Sequence, residues 1–136
     1  MDNRIDNQND KDVAYQNVLS LLDEHHNYLN NQDIEGVIGT IHSSSPTQGP
    51  TRQMLGQMFN AYQLKNELID TKYIGMDDDY VYIKMKQKIT KLKGPEFRDC
   101  ISDTLCVARK DKGDWKVWSI MPLEMTFSDM PNTGKI

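Results

Sequence analysis

Two carboxylates, three histidines and several tyrosines are the residues whose chemistry could go beyond packing. Asp99 and Asp103 lie in a run from Phe97 to Arg109 that alternates as a strand. They therefore share a face with Phe97, Ile101, Leu105 and Val107. If that face lines a pocket, desolvation raises their pKa values and suits one of them to general acid or base work, Asp103 before Asp99. The plainer alternative puts Asp99 at a wet rim and pairs Asp103 with a lysine from Lys84 to Lys88. His42 follows a short helix and is a candidate proton shuttle. His25 and His26 point about 100° apart on a helix and cannot form a two-ligand metal site. The commoner role of each histidine is that of a satisfied core or surface residue.

Tyr15, Tyr28 and Tyr62 could polarise a ligand carbonyl or serve as core edges with a wet hydroxyl. Gln87 interrupts the apolar series Val81, Ile83, Met85 and Ile89. It is either a pocket hydrogen-bonder or a point where the strand bends to solvent, and Ser119, between Val117 and Met121, raises the same question. Met54, Met58, Met85, Met121 and Met125 could shape an adaptable apolar pocket or simply fill a core. The expected pocket lining is Tyr28, Met58, Tyr62, Met85, Gln87, Ile101, Ser119 and Met121.

The elements that must position these groups follow from periodicity. Residues 1–10 are polar and expected as a disordered tail, and 11–127 as one domain followed by a frayed tail at 128–136. A first helix is predicted from Lys11 to Asn30, with Ala14, Val18, Leu21, Leu22, His25 and Leu29 on its apolar face. Asp33 should cap a short second helix ending near Thr40, and Thr51 a third, with Met54, Leu55, Met58, Phe59 and Tyr62 on its buried stripe. From Gln63 the period falls to two. Strands are predicted over Leu64 to Ile74, Tyr80 to Leu92, Phe97 to Arg109 and Asp114 to Phe127, with turns short enough for an antiparallel meander. A short strand is also allowed near Ile41. In the last strand, Trp115, Val117, Ser119 and Met121 should face the interior. Lys116, Trp118 and Ile120 should lie on the opposite face and form a dimer interface.

Composition narrows the classes. The formal charge of -4 over 136 residues argues against nucleic-acid or anionic-membrane binding. Lys84, Lys86, Lys88, Lys91 and Lys93 form a basic stripe that reads as a solvated or partner-facing surface rather than an anion site. Met1 to Asp12 has no apolar run of a secretory signal, so a cytoplasmic location is expected. Cys100 and Cys106 are too far apart along one strand to pair and read as reduced thiols. Asp77-Asp78-Asp79 lacks the glycine and distal glutamate of a calcium loop, and no metal, nucleotide or nucleophile-elbow motif occurs. No cofactor is implied.

The order of elements, with Leu29-Asn30-Asn31-Gln32-Asp33-Ile34-Glu35, Thr40-Ile41-His42-Ser43-Ser44-Ser45-Pro46, Asp79 to Ile83 and Trp115-Lys116-Val117, resembles the nuclear transport factor 2-like superfamily, which includes ketosteroid-isomerase-like and polyketide-cyclase-like proteins. The resemblance spans roughly residues 11–127 and rests on fold markers, not on a catalytic signature. It implies an α+β cone with three helices on the concave face of a curved, mostly antiparallel sheet, a pocket between the layers, and a homodimer through the outer sheet face. Enzymes of the superfamily often carry an acid after the second helix, where this chain has Ser43-Ser44-Ser45. The expected function is binding of a small, mostly apolar ligand, with cofactor-free acid/base chemistry such as isomerisation, dehydration or cyclisation open. The alternative is a non-enzymatic dimerisation or protein-interaction module. An open pocket with Asp103 in its wall would favour the first, and a pocket filled by side chains the second.

Overall fold

The structure, a computed structural model, describes residues 3–127, so the C-terminal tail expected at 128–136 lies outside the described residues. Helix α1 spans Asn3–Asn30. It buries Ala14, Val18, Leu21, Leu22 and His25 on one stripe, as the 3.6-residue period predicts. It also starts earlier than expected. Residues 3–10, read as a disordered tail, continue the helix, and that run contains no proline or glycine to stop it. Gln32 at φ 55° ends α1 in a left-handed turn.

Helix α2 spans Ile34–Gly39 and is capped by Asp33, whose Oδ1 accepts from Gly36 N at 2.9 Å. Gly36 lies under the Tyr28 ring, and a Cβ placed there would sit 2.2 Å from Tyr28 Cδ1. The substitution Gly36→Ala gains helix propensity but must displace the ring. We expect a net loss of about 1–3 kcal/mol, seen as a lower Tm in thermal denaturation; an unchanged Tm would show that the ring moves freely.

Helix α3 spans Gln48–Ala61 and begins at Gln48, not at Thr51. Pro50 is accommodated because the first turn of a helix needs no N–H from it. The broad buried stripe expected for α3 is also absent. Only Leu55 is buried, and Met54 is 52% exposed.

Strands β1 (Gln63–Met76), β2 (Tyr80–Lys93), β3 (Cys100–Asp111) and β4 (Asp114–Phe127) form one antiparallel sheet in the order β1-β2-β3-β4. Phe97 to Asp99 precede β3 rather than belonging to it. The expected short strand near Ile41 is a single parallel bridge to Val117. His42 N donates to Val117 O and Val117 N to Thr40 O, each at 2.8 Å. The helices cover one sheet face, and the core joins Val18 and Leu22 of α1 to Val81, Ile83, Met85, Cys106, Ala108 and Val117. Among the described residues no helix is long and apolar enough to cross a membrane.

Register decides which strand faces meet the helices. On β3 the inner residues are Cys100, Ser102, Thr104, Cys106 and Ala108, all buried. The face carrying Ile101, Asp103, Leu105 and Val107 is the outer one, opposite to the expectation. Small side chains on this face leave room for the cavity beneath the helices, and the hydroxyls of Ser102 and Thr104 satisfy each other at 2.8 Å, which removes the cost of burying them. On β4, Ala108 pairs with Val117 and Val107 with Ser119, so Trp118 is an extra, bulged residue. The bulge reverses the alternation. Trp115 and Val117 are buried as predicted, but beyond the bulge Ile120 turns inward while Ser119 and Met121 turn outward. A second bulge at Leu123, opposite the Asp103/Thr104 step, restores odd residues to the interior, so that Met125 shares the inner face with Ser102. Two bulges on β1, at Ile69 and Ile74, account for its poor alternation.

Candidate functional site

Between the helices and the inner sheet face lies a cavity of about 560 Å3. Helix α1 contributes His25 and Leu29, α2 Val37, α3 Met54, Leu55 and Met58, and the sheet Leu64, Asn66, Met85, Gln87, Ile89, Ile120 and Met125. Phe97 and Cys100 close one side. Among the described residues, neither a carboxylate nor a lysine or arginine lines it. Its fixed polar groups are the ring of His25, the amides of Asn66 and Gln87, and the hydroxyls of Thr47 and Thr51. A cavity of this size, mostly apolar with a few convergent polar groups, is the usual form of a small-molecule site. A second recess of about 720 Å3 lies between α1 and the β3–β4 turn, lined by Asp10, Glu24, Lys110, Asp114 and Lys116 among others; its charges of both signs suit solvent better than a ligand.

The His25 tautomer follows from its partners. Thr40 Oγ1 donates to Val37 O at 2.6 Å, so its remaining role toward His25 is to accept, and His25 Nδ1–H donates to it at 2.8 Å. Nε2 then carries the lone pair. Burial, with His26 adjacent, pushes the His25 pKa down from 6.5 to about 4, so the ring is neutral near pH 7. Tyr73 Oη is the only sealed side-chain polar atom without a partner among the described residues. The unbonded Nε2 of His25 is therefore not sealed, and its residue lines the cavity.

His26 holds Gln87. Its Nδ1–H donates to Leu22 O at 2.8 Å, and its Nε2 lies 2.8 Å from Gln87 Oε1. A neutral ring that donates through Nδ1 can only accept at Nε2, so the amide fits best with its oxygen and nitrogen exchanged. The NH2 group then meets His26, and the amide oxygen is left for the cavity side. Asn30 fixes the α1 end of the wall: its Oδ1 accepts from Asn66 N at 2.7 Å, and its Nδ2 donates to Asn66 O at 3.0 Å.

Of the expected lining, the structure places Met58, Met85 and Gln87 at the cavity. Tyr28 instead packs on Gly36, and Tyr62 stacks edge-on against Phe97 at the rim, 5.6 Å between centroids. Ile101, Ser119 and Met121 lie on the outer face. Of the expected interface, Lys116 and Trp118 are on the outer side, while Ile120 is turned into the cavity by the bulge. Lys116 Nζ donates to Gly39 O at 2.9 Å. Trp118 is partly covered by Arg109, 4.8 Å from its ring, and by His42 at 5.2 Å.

Both candidate catalytic groups are elsewhere. Asp103 sits on the outer face, opposite Lys86 and Glu124 in the ladder. Asp99 accepts Lys91 N at 2.9 Å and holds the end of β2. His42 uses both nitrogens structurally: Nε2–H donates to Lys110 O at 3.0 Å, and Nδ1 accepts from Ser44 N at 3.0 Å. It pins the α2–α3 connection to the β3–β4 turn, helped by Asp111, whose bond from Ser43 N holds its carboxyl below the ordinary range. Cys100 and Cys106 are free and buried, and burial pushes the Cys106 thiol up to about 12, far from a reactive thiolate.

Helices over a curved antiparallel sheet, with a cavity between the layers, define a nuclear transport factor 2-like fold. Solved structures agree. Rv3472 of Mycobacterium tuberculosis, a protein of unknown function, superposes with TM-score 0.73 at 12% identity, covering 94% of this chain and 79% of that one. A protein of Novosphingobium aromaticivorans provisionally named a scytalone dehydratase gives TM-score 0.70 at 10% identity, covering 90% and 93%. A nuclear transport factor 2-like protein of unknown function from Pseudomonas putida gives TM-score 0.69 at 12% identity, covering 88% and 98%. No curated protein matches the sequence. The chain belongs to the family of the anti-sigma-I factor RsgI9 C-terminal domain, whose model matches residues 20–127.

Proposed function

We propose that this chain is a ligand-binding domain whose cavity takes a small, mostly apolar molecule. The observation that carries the reading is the cavity itself, which is open rather than filled and walled mainly by Leu, Ile, Val, Met and Phe side chains. Binding fits better than catalysis. The wall holds no carboxylate among the described residues, and a histidine with a pKa near 4 is a weak base at neutral pH. Calorimetric titration with naphthalene tests it. We expect saturable one-to-one binding to the wild type, and its loss in Ile120→Trp, which fills the cavity, with little change in Tm. Absence of binding to the wild type, by naphthalene and by its hydroxyl-, methoxy- and carboxylate-bearing derivatives alike, would overturn the reading.

The outer face favours a second copy of this chain as partner. It exposes Ile101 (37%), Met121 (46%) and Leu123 (57%) beside Trp118, an apolar surface that a dimer would cover. Sedimentation of wild type and Met121→Asp distinguishes the cases: a dimer that the substitution dissociates supports the interface, and a monomeric wild type removes it.

A further inference from the structure

The polar atoms that the cavity presents are not a random set, and their signs can be worked out. His25 offers a lone pair at Nε2, because Nδ1–H is held by Thr40 and Thr40 is itself committed to Val37 O. Gln87 offers its amide oxygen when its NH2 group meets the lone pair of His26 Nε2, which lies 2.8 Å from the amide. Beside the Asn66 amide, whose Nδ2 donates to Asn30 Oδ1 at 3.3 Å, His25 and Gln87 are thus both acceptors, set on α1 and β2 around one apolar space. Neither can switch by a simple rotation. Turning the His25 ring would leave Thr40 Oγ1 without its donor, and turning Gln87 would set two acceptors or two donors against each other. Thr47 Oγ1 gives its hydrogen to Ser45 Oγ, which itself donates to Trp118 O, so toward the cavity it too can only accept, while Thr51 can donate or accept and imposes no sign. Among the described residues no lysine or arginine lines the cavity to receive an anion.

Resting on the ligand-binding reading above, we infer that the site selects a neutral, mostly apolar molecule carrying a hydrogen-bond donor, such as a phenolic or alcoholic hydroxyl, which it gives to His25 Nε2 with Gln87 as neighbour. Carboxylates are discriminated against. They would bring a desolvated negative charge against two acceptors, with no cation to offset it. A ligand whose oxygen is capped as an ether is also disfavoured, because a buried acceptor then faces another acceptor.

Four probes separate this inference from the reading beneath it: naphthalene, 2-naphthol, 2-methoxynaphthalene and 2-naphthoate, titrated into the full chain at pH 7. We expect 2-naphthol to bind about tenfold more tightly than 2-methoxynaphthalene, and 2-naphthoate to bind most weakly. In 15N spectra of histidine side chains, 2-naphthol should move the Nε2 signal of His25 and naphthalene should not. The variant His25→Phe keeps an aromatic ring but removes the acceptor, and should reduce the 2-naphthol preference to about twofold or less while retaining naphthalene. If His25→Phe fails to fold, Gln87→Met and the wild-type comparison of naphthol with its methyl ether still decide. Equal binding of 2-naphthol and 2-methoxynaphthalene, or tightest binding of 2-naphthoate, overturns the donor selectivity and leaves the cavity reading standing. Failure of all four probes overturns the cavity reading itself.

Discussion

Lowering the pH from 7 to 4 should destabilise the fold by about 3 kcal/mol through His25 alone. The ring is buried and its pKa falls from 6.5 to about 4, first because burial penalises the charged form and second because His26 is adjacent. The depressed value fixes the sign. In the unfolded chain the imidazole takes up a proton as the pH drops through 6.5, whereas in the folded chain it does so only near 4. Between these values the unfolded state binds more protons, so stability is complete above pH 6.5 and is lost as the pH falls through the window. The loss comes from disrupting a specific arrangement. A charged His25 would keep Nδ1–H on Thr40 and add a second N–H at Nε2, in a cavity walled mainly by apolar side chains. Urea denaturation from pH 7 to pH 4 checks this against His25→Gln, whose stability should fall by about 3 kcal/mol less than that of the wild type over the same range. Equal losses in the two proteins would mean that the His25 ring is solvated. Carboxylates such as Asp111, whose pKa is lowered, act in the same direction but at more acidic pH, since their contribution is lost as the pH falls through the folded value.

The second large effect concerns α3. Leu55 is fully buried and is the only buried residue of that helix, and it also lines the cavity. Leu55→Ala should therefore cost about 2–4 kcal/mol, and the cost should fall on α3 more than on the rest of the molecule. Removing the side chain both enlarges a pre-existing cavity and takes away the apolar anchor of a helix whose other apolar residues, Met54 among them, are wholly or partly exposed. Amide hydrogen exchange provides the readout. Protection should fall over residues 48–61 while β2 and β3 keep theirs. Uniform loss across the sheet would show instead that α3 unfolds only with the whole domain. Because α3 roofs the cavity, the same variant should weaken naphthalene binding.

Features decided by neighbouring residues were legible in the sequence. Asp33 caps α2, the stripe of α1 from Ala14 to His25 is buried, and Trp115 and Val117 face inward, because capping and periodicity act within a few residues. The α+β order was legible for the same reason. What failed depended on register. The bulge at Trp118 flips Ser119, Ile120 and Met121, and nothing in that strand marks it in advance. The apolar look of Ile101, Leu105 and Val107 drew the inner face of β3 to the wrong side and carried Asp103 with it. The signal for the true side was the smallness of Cys100, Ser102, Thr104, Cys106 and Ala108, which leaves room for the helical layer and the cavity. Cavity members such as Asn66 and Pro122 were missed because their positions depend on strand pairing. The Gln87 interruption was informative: a polar residue in an apolar series marked the wall of the cavity, and His26 holds it there.

The central claim is that the space between the helices and the sheet is a binding site. Chemical-shift mapping of 15N-labelled protein titrated with naphthalene and with its three substituted derivatives tests it most directly. The account predicts saturable shifts at Leu55, Met85, Gln87 and Ile120, with Asp103, Leu105 and Met121 on the outer face unmoved. Shifts confined to the outer face, or none at all, would contradict it.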